Sequence, residues 1–120
     1  MDVVNWKSQL KRGLLEYSLL LFIQSKKRVY GLEMIEGVNA AGMEISEGTI
    51  YPLLGRLTRE GILKPQWETE NNTGHPRKYY SLSSKGEQIL SSMSSAWEQT
   101  IQTIGKLKEE QTLWQTNKST

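Results

Sequence analysis

Towards its C-terminus the sequence repeats apolar residues at intervals of three and four: Leu90, Met93, Trp97, Ile101, Ile104 and Leu107. That period belongs to an α-helix and sets these side chains in one stripe. Ser84 and Glu87 stand at capping-box spacing at its start, so a helix is predicted over 84–111, about 42 Å long. The compact part of the chain before it, roughly 75 residues, has an expected radius of gyration of only about 11 Å. A head that small cannot cover the whole stripe. The uncovered part must meet a second chain or lie bare to water, and a twofold pairing of identical chains is the commonest solution. The rival is a helix folded back on its own head.

Upstream, Leu10, Leu14, Leu15, Leu19 and Phe22 make one helical stripe, closed by the basic run Ser25-Lys26-Lys27-Arg28. A second short helix follows, with Leu32, Ile35 and Val38 inward and Gly42 as its stop. Ser46 is placed to cap a third helix by accepting from a free backbone N–H, and Gly61 closes it. Ile50, Leu53, Leu54 and Leu57 line that helix's inner face. The period then changes. Segments 63–70 and 78–82 are rich in β-formers and aromatics and are predicted as strands, joined by the loop Asn71-Asn72-Thr73-Gly74-His75-Pro76-Arg77. Tyr79 and Tyr80 alternate across the second strand, so one of them belongs to the core.

Three helices and then a two-stranded hairpin is the order of a winged helix-turn-helix. The predicted fold is therefore mainly α with a small β-hairpin: a winged helix-turn-helix domain with an N-terminal helix over 1–83 and a long dimerisation helix over 84–112. A disordered tail is expected over 113–120.

Composition excludes several classes of protein. The 120 residues contain no cysteine, so there are no disulfides and no thiolate chemistry. His75 is the single histidine and Asp2 the single aspartate, which leaves no metal site and no nucleophile–base pair. No enzyme activity and no cofactor are expected. The most apolar run, 14–23, is too short to span a bilayer and contains Glu16, Tyr17 and Ser18. The start, with Asp2, Asn5 and Lys7, does not read as a signal peptide, so a cytoplasmic location is expected. The net charge is only +2. Its placement, not its sum, must indicate a nucleic-acid partner.

In a helix-turn-helix the third helix enters the major groove by its N-terminal residues. Here these are Ser46, Glu47, Thr49 and Tyr51. Serine and threonine read sequence poorly, whereas Glu47 can accept from cytosine N4. Arg56 and Arg59 lie further along, where phosphates are the expected partners, and the wing offers Arg77 and Lys78 beside His75. Tyr30 and Gly31, at the start of the second helix, are placed to aim a phenol and an N–H at a phosphate. Each has a plainer alternative. Arg56 and Arg59 are equally placed as surface charges near Glu60, Tyr51 as core, and His75 as an exposed loop residue. Glu33, Glu36, Glu44 and Glu47 oppose phosphate. They keep open a winged helix that binds another protein and not DNA.

Four strings carry a family resemblance: Val29-Tyr30-Gly31, Glu47-Gly48-Thr49-Ile50-Tyr51-Pro52-Leu53-Leu54, Arg56-Leu57-Thr58-Arg59-Glu60-Gly61 and Gly74-His75-Pro76-Arg77-Lys78-Tyr79-Tyr80-Ser81-Leu82. At this spacing the sequence resembles the PadR family of transcriptional regulators over roughly residues 10 to 110, and in particular its smaller branch, which includes multidrug-binding repressors. His75 departs from the arginine or glycine usual in such wings. The resemblance implies a homodimeric repressor of double-stranded DNA acting on a palindromic operator. Pairing would place two recognition helices roughly 34 Å apart, one turn of duplex. The expected seam joins Trp6, Leu10 and Leu14 of the N-terminal helix to the partner's stripe, from Leu90 to Leu107. In multidrug-binding relatives, tryptophans matching Trp97 stack on planar aromatic ligands at the dimer centre. Met93 and Trp97 thus become candidate effector contacts, with plain seam packing as the alternative. Arg12 and Glu16 on the facing helix would make such a cavity more polar.

Overall fold

The structure, a computed structural model, describes residues 1–69 and 74–118, with side chains as far as residue 110. The order of elements is α1 (Val3–Gly13), α2 (Leu15–Lys26), β1 (Val29–Tyr30), α3 (Gly31–Ala40), α4 (Glu47–Arg59), β2 (Leu63–Glu68), β3 (Arg77–Leu82) and α5 (Ser84–Lys118). They form two compact units, one from Met1 to Leu90 and one from Ser91 onward. The mostly helical winged-helix architecture is thus as expected, with differences that have local causes.

The single N-terminal stripe is two helices. The Asp2 carboxylate caps α1 by accepting from the Val4 N–H at 3.0 Å, and the helix ends at Gly13, a residue costing about 1 kcal/mol within a helix relative to alanine. Leu14 stands between α1 and α2, and its carbonyl accepts from both the N–H and the hydroxyl of Ser18. α1 buries none of its residues in the single chain, whereas α2 buries Leu15, Leu19, Leu20 and Ile23. With Val29, Met34, Ile35, Val38, Ile50, Leu54, Leu57, Ile62, Leu63, Tyr80 and Leu90 these make the core of the first unit. Leu32, expected inward, is exposed. Gly37 sets the α2–α3 spacing, since a methyl group there would lie 2.2 Å from the Phe22 ring. Gly42 and Gly61 close α3 and α4 as expected, both at positive φ (110° and 77°).

The hairpin is part of a three-stranded antiparallel sheet in the order β1-β3-β2. β1, two residues long, carries too little pattern to be found by periodicity. Its partners are Tyr79 and Tyr80. Of those two, Tyr80 is the buried one, and burial raises its phenol pKa above the ordinary value, with Tyr51 adding to the effect. β2 ends at Glu68 and β3 begins at Arg77, and part of the predicted loop, residues 70–73, lies outside the described residues.

The cap of α5 is Ser83, not Ser84. Its hydroxyl accepts from the Gly86 N–H at 3.0 Å and donates towards the carbonyls of Gly61 and Ile62. Its own N–H donates to the Ile62 carbonyl at 3.1 Å, so one serine ties the end of α4 to the start of α5. α5 passes the predicted end at residue 111 and runs to Lys118, 35 residues or about 52 Å. The expected disordered tail is therefore helical through 118, and residues 119 and 120 lie outside the described residues. Among the described residues no helix is long and apolar enough to cross a membrane.

Candidate nucleic-acid interface

α4 is held by its buried face and open at its start. Ile50, Leu54 and Leu57 are in the core, while Ser46, Glu47, Gly48 and Thr49 are exposed. The turn before it is pinned by Asn39. The Asn39 side-chain amide donates to the Ile45 carbonyl at 2.8 Å, and its oxygen accepts from the Ile45 N–H at 2.6 Å. Ser46 begins the helix, but its hydroxyl meets the Thr49 hydroxyl at 3.2 Å instead of capping a backbone N–H. A polar, solvent-facing strip of Ser46, Glu47 and Thr49 results.

Beside α4 lies the wing. Arg77 stacks over Tyr30 (4.6 Å to the ring centroid) and Arg28 over Tyr79 (4.1 Å), while Tyr30 and Tyr79 meet edge to face at 5.5 Å. Arg28 also pairs with Glu68 of β2 at 2.6 Å. Two arginines and two tyrosines therefore clamp β1 to the hairpin, each contact contributing on the order of 0.5–1 kcal/mol at such exposed sites. Lys78 lies directly across the ladder from Trp67, with its ammonium 5.8 Å from the indole. Trp67 is 62% exposed. Neither Arg28 nor Trp67 was among the sequence candidates. Trp67 could not be found by alternation, which sets it on the same face of β2 as the buried Leu63; its exposure is decided by what the far end of the strand packs against. Between α4 and this wing runs an open groove of about 570 Å³, lined by Tyr30, Tyr51, Trp67, Arg77 and Lys78 among others.

Three of the predicted contacts change role. Gly31 is buried beneath the Tyr51 ring, where a methyl group would lie 2.5 Å from the ring carbon Cε1. It is the seat of Tyr51, not a phosphate donor. The N-terminus of α3 is already occupied by an anion, since the Tyr30 N–H donates to the Glu33 carboxylate at 3.2 Å. Arg56 is bound to Glu16 of α2 and to Glu60, at 3.1 Å for the latter, and the two carboxylates, Glu16 first, hold it still more firmly protonated. It fastens α4 to α2, and both its own charge and that of Glu16 are engaged in that pair. Tyr51 is 47% exposed and faces the groove, not the core. Arg59 and His75 are exposed, and Arg77 and Lys78 are half-buried.

The comparisons with known proteins decide the family. The profile of the PadR-like family of transcriptional regulators matches residues 19–92. The chain belongs to the PadR-like family. A PadR-like transcription factor from Bacteroides fragilis is 37% identical, with 86% of this chain and 98% of that one aligned at a TM-score of 0.70. A PadR-like regulator from Bacillus cereus is 34% identical over 82% of this chain and 95% of its own, with a TM-score of 0.74. One from Eggerthella lenta is 29% identical over 88% and 90%, also at 0.74. As a PadR-like protein the chain is a DNA-binding transcriptional regulator and not an enzyme.

The matched span runs from α2 into the third turn of α5, so the shared signature is the winged-helix head. Most of the predicted seam lies outside it. Within the single chain, Trp6 (53%) and Leu10 of α1 are exposed, and Leu14 is half-buried. Along α5, Trp97 (36%), Ile101, Ile104 and Leu107 (57%) are exposed, and Met93 is half-buried. Leu90 is a correction. It is 1% exposed inside the first unit, so it belongs to that unit's core and not to a seam. A stripe that runs unbroken through the sequence changes function between Leu90 and Met93, where the helix passes from one unit to the next.

Proposed function

We propose that this PadR-like regulator is a homodimeric repressor that binds a palindromic operator and blocks transcription. The observation that carries this is the exposed strip Ser46, Glu47 and Thr49 standing next to a groove lined by Arg77 and Lys78. The strip supplies hydrogen-bonding groups for base edges, with Glu47 suited to cytosine N4 and Tyr51 to a sugar or base edge. The wing cations supply sequence-independent attraction to phosphate. Pairing rests on the exposed apolar rows of α1 and α5, which a second copy would cover.

The test is binding of labelled promoter duplex across a salt series. Arg77→Ala is expected to weaken binding to all sequences by a similar factor. It should also flatten the slope of log affinity against log salt by about 0.9 per protomer. Absence of any retention at low salt would leave the protein-binding alternative standing.

The same dimer offers an effector site at its centre. Met93 and Trp97 provide an adaptable thioether and a flat aromatic face for a planar aromatic molecule, and seating it would alter the spacing of the two heads. A coupling of about 1–3 kcal/mol between effector and operator is ordinary for such a switch. Flat aromatic cations or neutral polycycles are expected to quench the intrinsic fluorescence. Trp97→Ala should abolish this by removing the stacking face, while Trp6, Trp67 and Trp114 still emit and keep the variant readable; equal quenching in that variant disposes of the site.

A further inference from the structure

The N-terminal half of α4 has a hollow on each side. The first is the wing groove. The second, of about 280 Å³, is lined in part by Lys11, Arg12, Glu44, Ser46 and Thr49. Tyr51 faces the first and Thr49 the second. Two residues apart on a helix, they point about 200° from each other. The two hollows therefore flank the recognition helix on opposite sides, and each holds a pair of cations: Arg77 and Lys78 in one, Lys11 and Arg12 in the other.

The second pair stands in the last turn of α1, and one member is tied to the helix-turn-helix. The Lys11 ammonium lies 3.4 Å from the Glu44 carboxylate and fastens the last turn of α1 to the turn before α4. Glu44 holds a positive φ of 59°, a conformation that costs a non-glycine residue on the order of 1 kcal/mol and that its neighbours must sustain. Lys11 thus neutralises the acid in the hollow. Arg12 is exposed and has no ion pair among the described residues, which leaves the hollow a net positive charge. Ser8, Lys11 and Arg12 share one face of α1, while Trp6 and Leu10 lie on another. A second copy seated on the apolar face leaves Arg12 open.

A major groove is about 12 Å wide and has a phosphate backbone along each lip. A helix seated in it passes between two rows of negative charge. We propose that Arg12, backed by Lys11, is the phosphate contact on the lip opposite the wing, so that the DNA footprint includes the last turn of α1. This rests on the DNA-binding mode proposed above and adds a second anchor to it.

The experiment uses the full chain and a labelled mixed-sequence duplex long enough for two half-sites, titrated between about 50 mM and 200 mM salt. Arg12→Ala is expected to weaken binding several-fold and to flatten the salt slope by about 0.9 per protomer, with an unchanged melting temperature. Arg12→Lys should restore the slope, because charge and not shape sets it. An Arg12→Ala slope equal to wild type, alongside a flattened Arg77→Ala slope, overturns the second anchor and leaves the wing contact intact. A wild-type chain that fails to bind duplex at the lowest salt removes the underlying DNA mode, and the anchor with it.

Discussion

Gly86→Ala is expected to lower the melting temperature by about 10 °C, from a loss of roughly 2–3 kcal/mol. Helix propensity alone argues the other way, since alanine is favoured over glycine by about 1 kcal/mol within a helix. Steric overlap decides the sign. An added methyl group would lie 2.2 Å from the Ile62 carbonyl oxygen, a backbone atom that already accepts from the N–H and hydroxyl of Ser83. Relief requires moving either the end of α4 or the start of α5, and both are welded through Ser83 and the Lys85 ammonium, which donates to the Glu60 carbonyl at 2.8 Å. Gly37→Ala makes a useful contrast. There the obstacle is the Phe22 ring, a side chain that can turn aside, so the loss should be smaller. Thermal melting of both variants gives the answer, and a Gly86→Ala chain as stable as wild type would contradict the close approach at Ile62.

The double substitution Ile101→Glu with Ile104→Glu is expected to give a folded chain of single-chain mass with operator affinity at least 100-fold weaker. Both residues are about half exposed in the chain itself, so their replacement leaves the core untouched. In a paired state they would put four carboxylates into one apolar seam, each costing several kcal/mol once removed from water. Loss of pairing then removes the second contact made at high effective concentration, a gain ordinarily of 10²–10⁴-fold. Solution mass and duplex titration read the two effects separately. A variant that retains twice the chain mass would show that α5 is not the seam.

Much of the head was legible because its signals are local. The change from a three-four period to alternation marked where helices gave way to strands, and Gly42 and Gly61 ended helices at the positions their freedom at positive φ suits. Ile50, Leu54 and Leu57 were assigned inward by spacing and are buried; Ser46, Glu47 and Thr49 followed as the open face. Where two local signals were nearly equal the outcome was harder to see. Ser83 and Ser84 both precede the α5 stripe, and the choice of Ser83 depends on its reach to Gly61 and Ile62, which come from another element. The two-residue β1 exists because β3 lies alongside it, not because of its own pattern.

The residues that changed role did so through contacts distant in sequence. Arg56 meets Glu16 forty positions away, Arg28 meets Glu68 across an equal gap, and Tyr51 lies over Gly31. Periodicity, caps and turn chemistry are properties of neighbours along the chain, so they specify which elements form and which faces are apolar without any knowledge of the fold. Which cation is spent on a carboxylate, which glycine lies under a ring, and where a continuous stripe passes from core at Leu90 to open surface at Trp97 depend on how the chain returns upon itself. Those pairings are set by packing in three dimensions, and they separate the arginine that braces α4 from the cations left open at the surface.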